Sequence, residues 1–329
     1  MDLTMLTSYF NLEHLDDLKV TMGGGVGSHL LNVALGLVMF GVALGIKPSN
    51  FVNIIKNPKS IITGIVCQII LLPALTFLLV VACGNLLSPM VALGMILVAS
   101  CPGGNVSNFI TSLSRGNSEL SVSLTAFNTA ACIFTTPINF AFWGKMYLSY
   151  AGKHDIVLPN LEIPFWEIFQ SIVIIMGIPL VLGMLCAQYY PRIAAKLNKP
   201  LQRLSIVVFI AMVAIIFTSN FNTFLKCITS IFLVVLVHNL LALGIGFGTS
   251  TALKLPYKDR RTLTIETGIQ NSGLGLVLLM NPHIFDPTKW ENNGGMVVIT
   301  AWWGVWHIIS GFTLAYLWKI RGRKEPKEE

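Results

Sequence analysis

Charged residues are scarce in this sequence, because Asp, Glu, Lys and Arg together make up only 11% of its 329 residues. In an ordinary water-soluble fold about a quarter of the residues are charged. Hydrophobic residues make up 54% of the chain, and its mean hydropathy is +0.71. This composition excludes a typical soluble domain and indicates an integral membrane protein that lies in a lipid bilayer.

The common motifs of metal and hydrolytic chemistry are also missing. The six cysteines form no C-x-x-C pair and have no histidine at zinc spacing, and neither H-E-x-x-H nor G-x-S-x-G occurs. The net charge of +7 comes from short basic runs between apolar stretches, not from one continuous basic face. These absences argue against an enzyme and against a nucleic-acid partner.

Nine apolar stretches approach the roughly 20 helical residues that cross a hydrocarbon core of about 30 Å. We therefore predict an all-α membrane protein with nine transmembrane helices. The predicted spans are 28–47, 58–83, 87–114, 118–144, 164–189, 200–219, 224–249, 260–281 and 293–319.

Basic residues cluster in alternate loops, which sets the expected orientation because cytoplasmic loops are enriched in Lys and Arg. The loops that begin near Lys47, Arg115, Arg192 and Lys254 and the tail from Lys319 all fall on one side. We expect the protein in the cell membrane, with residues 1–27 outside, a transporter domain over 28–320 and a cytoplasmic tail over 321–329. Residues 1–27 also lack the pattern of a signal peptide.

One acidic residue, Glu266, lies deep in a predicted span, in the stretch "ETGIQNSGLG". A charge at the bilayer centre costs about 2.5 to 3.5 kcal/mol on insertion scales and usually faces a polar cavity. A structural alternative is a protonated Glu266 that only ties helices together.

Two spans contain helix-breaking residues. Pro102, Gly103 and Gly104 interrupt the third span, and Gly268 with Gly273 brackets polar residues in the eighth. The two spans run in opposite directions, which indicates an inverted repeat with two discontinuous helices. Such a pair is the sequence pointer to the binding site of a secondary transporter.

Several separate motifs resemble the bile acid:sodium symporter family. They are "GLVMFGVALGIKPSNF" from residue 36, "CPGGNVSNFITSLSRGNSELSVSLT" from 101, "HN" at 238, "ETGIQNSGL" from 266 and "VWHIISG" from 305. The resemblance implies a panel domain and a core domain, with two discontinuous helices that cross at the centre. The panel would comprise about 28–47, 164–189 and 200–219, and the core about 58–144 and 224–319.

The resemblance also implies two sodium ions that share Glu266. Ser121 and Thr125 are four residues apart and share a helix face, and sodium is a hard cation that prefers oxygen ligands. The expected ligands of the first ion are Ser107, Asn108, Ser121, Thr125 and Glu266. Those of the second are Gln68, Glu266 and Gln270, with the backbone oxygens of Thr267 and Ile269.

Asn105, Asn271 and His307 match family positions that contact substrate. Asn105 departs from the Thr of well-known bacterial members, and His307 is equally compatible with a core histidine. We interpret His238 and Asn239 as polar packing residues. The expected function is sodium-coupled symport of bile acids or related organic anions, or of a small organic acid such as pantoate.

Two other functions remain open. A sodium/proton antiporter would use Glu266 as a titrating carboxylate, although such carriers generally carry more intramembrane charge. A receptor or lipid-binding membrane protein would not require this many sodium-type oxygens.

Overall fold

The computed structural model describes most of the predicted transporter domain. The described residues are 15, 33, 36, 37, 39–45, 58–104, 106–154, 162–219, 221–286, 288–290 and 293–321. Half of the first predicted span, the N-terminal segment 1–27 apart from Leu15, the predicted cytoplasmic tail beyond 321 and Asn105 lie outside these residues.

The described part of the chain is built from α-helices joined by short turns. They are α1 (Pro58–Val66), α2 (Leu72–Cys83), α3 (Pro89–Ser100), α4 (Val106–Leu113), α5 (Ser118–Lys153), α6 (Phe165–Ile172), α7 (Ile178–Tyr189), α8 (Pro191–Ser219), α9 (Phe221–Ala252), α10 (Tyr257–Gly268), α11 (Ser272–Leu279) and α12 (Gly294–Arg321). Residues 39–43 are helical as well. The prediction of an all-α protein is confirmed for these residues.

Two proline-linked π-helical segments keep neighbouring helices in one continuous stretch. Cys67–Leu71 joins α1 to α2, and Val173–Gly177 joins α6 to α7. Pro73 has no N–H to donate to the carbonyl of Ile69 four residues earlier, so the helix widens there. Asn139 of α5 donates its Nδ2 to that Ile69 carbonyl at 3.0 Å and restores the missing hydrogen bond.

Four helical stretches among the described residues are long and apolar enough to cross a membrane: Pro58–Leu86, Phe165–Tyr189, Ile228–Ala252 and Gly294–Ile320. Trp166 and Tyr189 stand exposed at opposite ends of the second stretch, a placement typical of aromatic residues at the two membrane–water interfaces. The structure therefore supports a multi-pass membrane protein. The count of nine spans stays a prediction.

The segments assigned to the panel touch one another where they are described. A Cβ on Gly41 would lie 2.5 Å from Cβ of Leu201 in α8, and one on Gly183 of α7 would lie 2.8 Å from the Phe40 carbonyl oxygen. Glycines at these positions let the three segments pack backbone to backbone. The division into panel and core stays a prediction.

The third and eighth predicted spans are each interrupted at the helix breakers. α3 ends at Ser100 and α4 begins at Val106, while α10 ends at Gly268 and α11 begins at Ser272. Each half-helix of 8 to 12 residues covers only about 12 to 18 Å at 1.5 Å per residue. Both interruptions therefore lie in the interior of the protein and not at the ends of the predicted spans.

The two interruptions cross each other as a short antiparallel bridge between Gly103 and Gln270. Gly104 N–H donates to the Ile269 carbonyl at 2.9 Å, and Asn271 N–H donates to the Pro102 carbonyl at 2.8 Å. These bonds satisfy backbone groups that the broken helices leave free, which is a requirement for irregular backbone at membrane depth. The crossing lies next to α3, whose residues from Met90 to Ser100 are all buried.

Candidate functional site

Glu266 lies in the last turn of α10, two residues before the helix ends, and its side chain is 3% exposed. Its Oε1 accepts hydrogen bonds from Ser107 Oγ at 2.6 Å and from Ser121 Oγ. Its Oε2 accepts from Thr125 Oγ1 at 3.1 Å. Within the described part of the chain these three neutral hydroxyls are its side-chain hydrogen-bond partners, so no basic residue offsets the carboxylate charge.

Asn108 completes a compact group of oxygen-bearing side chains around Glu266. Its Oδ1 accepts from Ser121 Oγ at 2.8 Å and from Thr125 Oγ1 at 3.2 Å. Ser107 and Thr125 hydroxyl oxygens are 3.5 Å apart. We call these five residues the Glu266 cluster: Ser107, Asn108, Ser121, Thr125 and Glu266.

The local sequence explains how three helices reach the Glu266 cluster. The break at Pro102–Gly104 starts α4 beside Glu266, so its first turn presents Ser107 and Asn108. Asn117 caps α5 by accepting from Leu120 N at 3.1 Å, and this fixes the start of the helix that carries Ser121 and Thr125. The five residues that the family resemblance implies as ligands of a first ion therefore lie together.

A second polar group lies at the end of α10 and in the break that follows it. Gln68 Nε2 donates to Gln270 Oε1 at 2.6 Å, and Gln270 Nε2 donates back to Gln68 Oε1 at 3.2 Å. Gln68 Nε2 also donates to the Cys101 carbonyl at 3.1 Å. Gln270 Nε2 also donates to the Thr267 carbonyl at 2.7 Å. We call Gln68, Thr267 and Gln270 the glutamine pair group.

Thr267 and Ile269 take part in this region through their carbonyl groups. The Thr267 hydroxyl donates back to the Leu263 carbonyl at 2.8 Å, so the side chain stays on α10. The Ile269 carbonyl accepts the Gly104 N–H at the crossing. A Cβ on Gly103 would lie 3.4 Å from both the carbonyl oxygen and Oε2 of Glu266, so the crossing itself forms one wall beside the carboxylate.

Two of the three residues expected to contact substrate lie in the described part of the chain. Asn271 caps α11, with its Oδ1 accepting from Leu274 N at 3.1 Å. His307 lies on α12 with 4% exposure, and its Nδ1 has no hydrogen-bond partner among the described residues. Asn105 falls outside the described residues. The described residues show no hydrogen bond between Asn271 and His307.

Asn239 was interpreted from sequence as a packing residue, but it reaches the break in α10. Its Nδ2 donates to the Gly268 carbonyl at 2.9 Å, and its Oδ1 accepts from Ser310 Oγ at 2.5 Å. The helix end leaves the Gly268 carbonyl without an intrahelical partner, and Asn239 supplies one. The sequence signal that could have indicated such a role is an amide within the apolar stretch of α9, since a buried amide needs hydrogen-bond partners.

His238 fits the packing interpretation more closely. Its Nε2 lies 2.8 Å from Thr76 Oγ1, and its ring lies against Trp303 with a centroid distance of 4.4 Å. Asn128 was not singled out from the sequence. It shares the α5 face of Ser121 and Thr125, it is 3% exposed, and its Oδ1 has no partner among the described residues.

Comparison with known proteins identifies the family. The sequence profile described as the sodium bile acid symporter family matches residues 32–253, which is two thirds of the chain. The chain belongs to this family. An uncharacterized sodium-dependent transporter, YocS, of Bacillus subtilis is 31% identical over 298 residues, which cover 91% of this chain and 85% of that protein.

Two eukaryotic relatives are also similar over most of the chain. The ileal sodium/bile acid cotransporter of Cricetulus griseus is 26% identical, with 76% of this chain and 68% of that protein covered. The probable chloroplastic sodium/metabolite cotransporter BASS1 of Arabidopsis thaliana is also 26% identical, over 90% and 67%. This member of the sodium bile acid symporter family is thus a sodium-dependent transporter and not an enzyme.

Proposed function

We propose that this family member is a secondary symporter that carries an organic anion into the cell with two sodium ions bound at sites sharing Glu266. The observation that carries the proposal is the Glu266 cluster, in which a buried carboxylate is surrounded by neutral oxygens only. A buried charge without a partner is costly, so a bound cation would offset that cost.

The chemistry of the Glu266 cluster favours an alkali cation. A carboxylate, three hydroxyls and an amide oxygen are hard ligands of the kind that sodium prefers. The hydroxyl hydrogens that now point to Glu266 and Asn108 can rotate away, so their oxygens become available without a change in backbone. A first sodium ion would therefore be held by Ser107, Asn108, Ser121, Thr125 and Glu266.

A second sodium ion would use the glutamine pair group together with Glu266. The side-chain oxygens of Gln68 and Gln270 lie within hydrogen-bond distance of each other's amides, and the Thr267 carbonyl is 2.7 Å from the Gln270 amide. Rotation of the two amides would turn the side-chain oxygens of Gln68 and Gln270 towards one ion, which the backbone carbonyls of Thr267 and Ile269 would also contact. Because α10 breaks between Glu266 and Gln270, the two ions would lie on either side of the break.

The charges then account for coupling to an anion. Two sodium ions and Glu266 leave one net positive charge, which a monovalent organic anion would neutralise before the core moves past the panel. Asn271 at the N-terminus of α11 and the unpaired His307 Nδ1 supply polar contacts, and a helix N-terminus favours anions. We infer a bile acid or a smaller organic acid such as pantoate as the substrate.

Binding would shift the equilibrium between outward-open and inward-open states through a difference in affinity between them. The N-terminus would lie outside and the C-terminus in the cytoplasm, as the basic loops indicate. The expected location is the cell membrane.

Uptake of a labelled bile acid into proteoliposomes tests this function. We expect uptake with a sodium gradient, none when potassium replaces sodium, and inhibition by competing organic anions that reveals the preferred substrate. Uptake driven by a pH gradient without sodium would instead support a sodium/proton antiporter or a proton-coupled carrier. Binding of the anion without accumulation would support a receptor.

A further inference from the structure

A second buried carboxylate lies on the same face of α10 as Glu266. Asp259 precedes Glu266 by seven residues, which in an α-helix is about two turns and about 10 Å along the axis. Its side chain is 7% exposed. Ser60 Oγ donates to its Oδ2 at 2.6 Å, and Asn117 Nδ2 donates to its Oδ1 at 2.9 Å. Both donors are neutral.

Part of this arrangement has a structural explanation. Asp259 lies in the first turn of α10, where the helix dipole stabilises a negative charge. Its hydrogen bonds also tie the starts of α1 and α5 to α10 through Ser60 and Asn117. Neither effect supplies a full positive charge, so the buried carboxylate stays without a cationic partner among the described residues.

A fully buried hydroxyl on α4, the helix that also carries Ser107, has no hydrogen-bond partner among the described residues. Thr111 of α4 is 0% exposed, and its Oγ1 accepts or donates no hydrogen bond among the described residues. It follows Ser107 by one helical turn and so continues the same face of α4. An unpaired buried hydroxyl costs free energy unless a ligand or an ordered water bonds to it.

Thr111 also lies beside the helix face that joins the two carboxylates. A Cβ on Gly116 would be 2.9 Å from both Thr111 Cγ2 and Thr262 Oγ1, so the two threonines lie around the same glycine. Thr262 is three residues after Asp259 on α10, and its Oγ1 accepts from Asn117 N at 2.8 Å. The Thr111 methyl group therefore lies near the Thr262 hydroxyl, which itself donates to the backbone carbonyl of Lys258 at 3.0 Å or of Asn117 at 3.2 Å.

The residues around the two acidic positions come from the same part of the fold. Ser60 lies in α1 and Gln68 in the π-helical segment that follows it. α5 carries Ser121 after its cap Asn117, and α10 carries Asp259 and Glu266. The Asp259 end is the end with the basic residues of the loop before α10, which the distribution of Lys and Arg assigns to the cytoplasm. The polar groups thus lead from the Glu266 cluster towards that face.

We propose that Asp259, with the hydroxyls of Ser60 and Thr111, forms a transient site for a monovalent alkali cation on the route of sodium from Glu266 to the cytoplasm. One carboxylate and neutral oxygens balance one monovalent cation, whereas a divalent ion would leave an excess positive charge. The role of this site in sodium release rests on the proposed function. Binding of a cation at Asp259 could occur even if the proposed function were wrong.

Equilibrium binding of radioactive sodium to purified protein tests the site itself. We compare the wild type, Glu266→Ala and the double variant Glu266→Ala with Asp259→Asn. The single variant should keep weak, saturable sodium binding, and the double variant should lose it. If both variants bound sodium equally, the proposal of a cation site at Asp259 would be refuted. If the wild type itself bound no sodium, the proposed function would fail instead.

Measuring net uptake and substrate exchange separately distinguishes a role of Asp259 in sodium release from a purely structural role. Asp259→Asn should lower net sodium-driven uptake about tenfold, the loss expected for a charge-assisted contact, because sodium must leave to the inside in every cycle. Exchange of substrate at equal sodium on both sides should stay within about twofold of the wild type, because sodium need not leave. An equal loss in both modes, or none in either, would overturn the proposal.

Asp286→Asn is the matched control. Asp286 lies in the loop between α11 and α12, and it too accepts two neutral hydrogen bonds, from the Thr288 N–H at 2.9 Å and hydroxyl at 2.8 Å. These bonds lower the pKa of Asp286, so the control removes an ionised carboxylate that lies outside the proposed site. It should leave both transport modes unchanged. If Glu266→Ala does not purify as a folded protein, Glu266→Gln replaces it in the binding experiment.

Discussion

Replacing Glu266 by Gln removes one negative charge and keeps the size of the side chain. The carboxylate accepts hydrogen bonds from three hydroxyls, and it has no cationic partner among the described residues. Removing one member of a buried charge pair costs about 3 to 5 kcal/mol. At about 1.4 kcal/mol for each factor of ten, the sodium dissociation constant should rise about 100-fold to several thousand-fold.

The assay is equilibrium sodium binding to the purified variant, followed by uptake at saturating sodium. Glu167→Gln is the matched control, because Glu167 is an exposed glutamate in the first turn of α6. It should bind sodium like the wild type. If Glu266→Gln and Glu167→Gln bound sodium with equal affinity, the argument from an uncompensated buried carboxylate would be refuted.

Thermal unfolding gives an independent measurement for the same variant. A ligand that binds only the folded state stabilises it by about 2.7 kcal/mol at 100 times its dissociation constant. The wild type should therefore unfold at a higher temperature in sodium than in potassium. Glu266→Gln should lose most of this difference, while its stability in potassium should equal or exceed that of the wild type. The same sodium-dependent gain in both proteins would count against the assignment.

Three further substitutions probe the region around the break in α10. Gln68→Leu should lower the Hill coefficient of sodium-dependent uptake from about two towards one, and an unchanged coefficient would remove the second sodium site. Asn239→Ala leaves a buried carbonyl of α10 unpaired at a cost of about 1 to 3 kcal/mol, so it should raise the half-saturating sodium concentration; a change confined to the maximal rate would contradict this role. Gly104→Ala places a Cβ 3.0 Å from the Gln270 carbonyl oxygen and should weaken sodium binding and uptake together. Gly152→Ala, where nothing lies within 4 Å of the added Cβ, should change neither, and equal effects of the two glycine variants would show that the crossing tolerates a side chain.

Parts of the fold could be predicted from local sequence because their causes are local. Pro102 with its two glycines breaks one helix, and Gly268 precedes the break in the other. The π-helical segment at Cys67–Leu71 was not predicted. It depends on the amide of Asn139, which lies far away in sequence and reaches the carbonyl that Pro73 leaves free.

The candidate site likewise has residues that local sequence identifies and contacts that only tertiary packing creates. Glu266 could be singled out from the sequence because a lone acid in an apolar span is expensive wherever the chain folds. The interpretation of Asn239 as a packing residue missed its contact with the Gly268 carbonyl, because that contact exists only when α9 packs along α10. The hydrogen-bond partners of Asp259 could not be predicted from the sequence either, since they come from the starts of two other helices.

The sequence by itself determined that this chain is helical, rich in membrane-compatible apolar segments, broken at two places and supplied with one deep acid. These properties follow from hydropathy and from the backbone restrictions of proline and glycine, which act within a few residues. Only the tertiary structure decided which oxygens surround Glu266 and how the two breaks hydrogen-bond across each other. Those contacts join residues more than 100 positions apart, and packing of the helices, not any local propensity, brings them within hydrogen-bond distance.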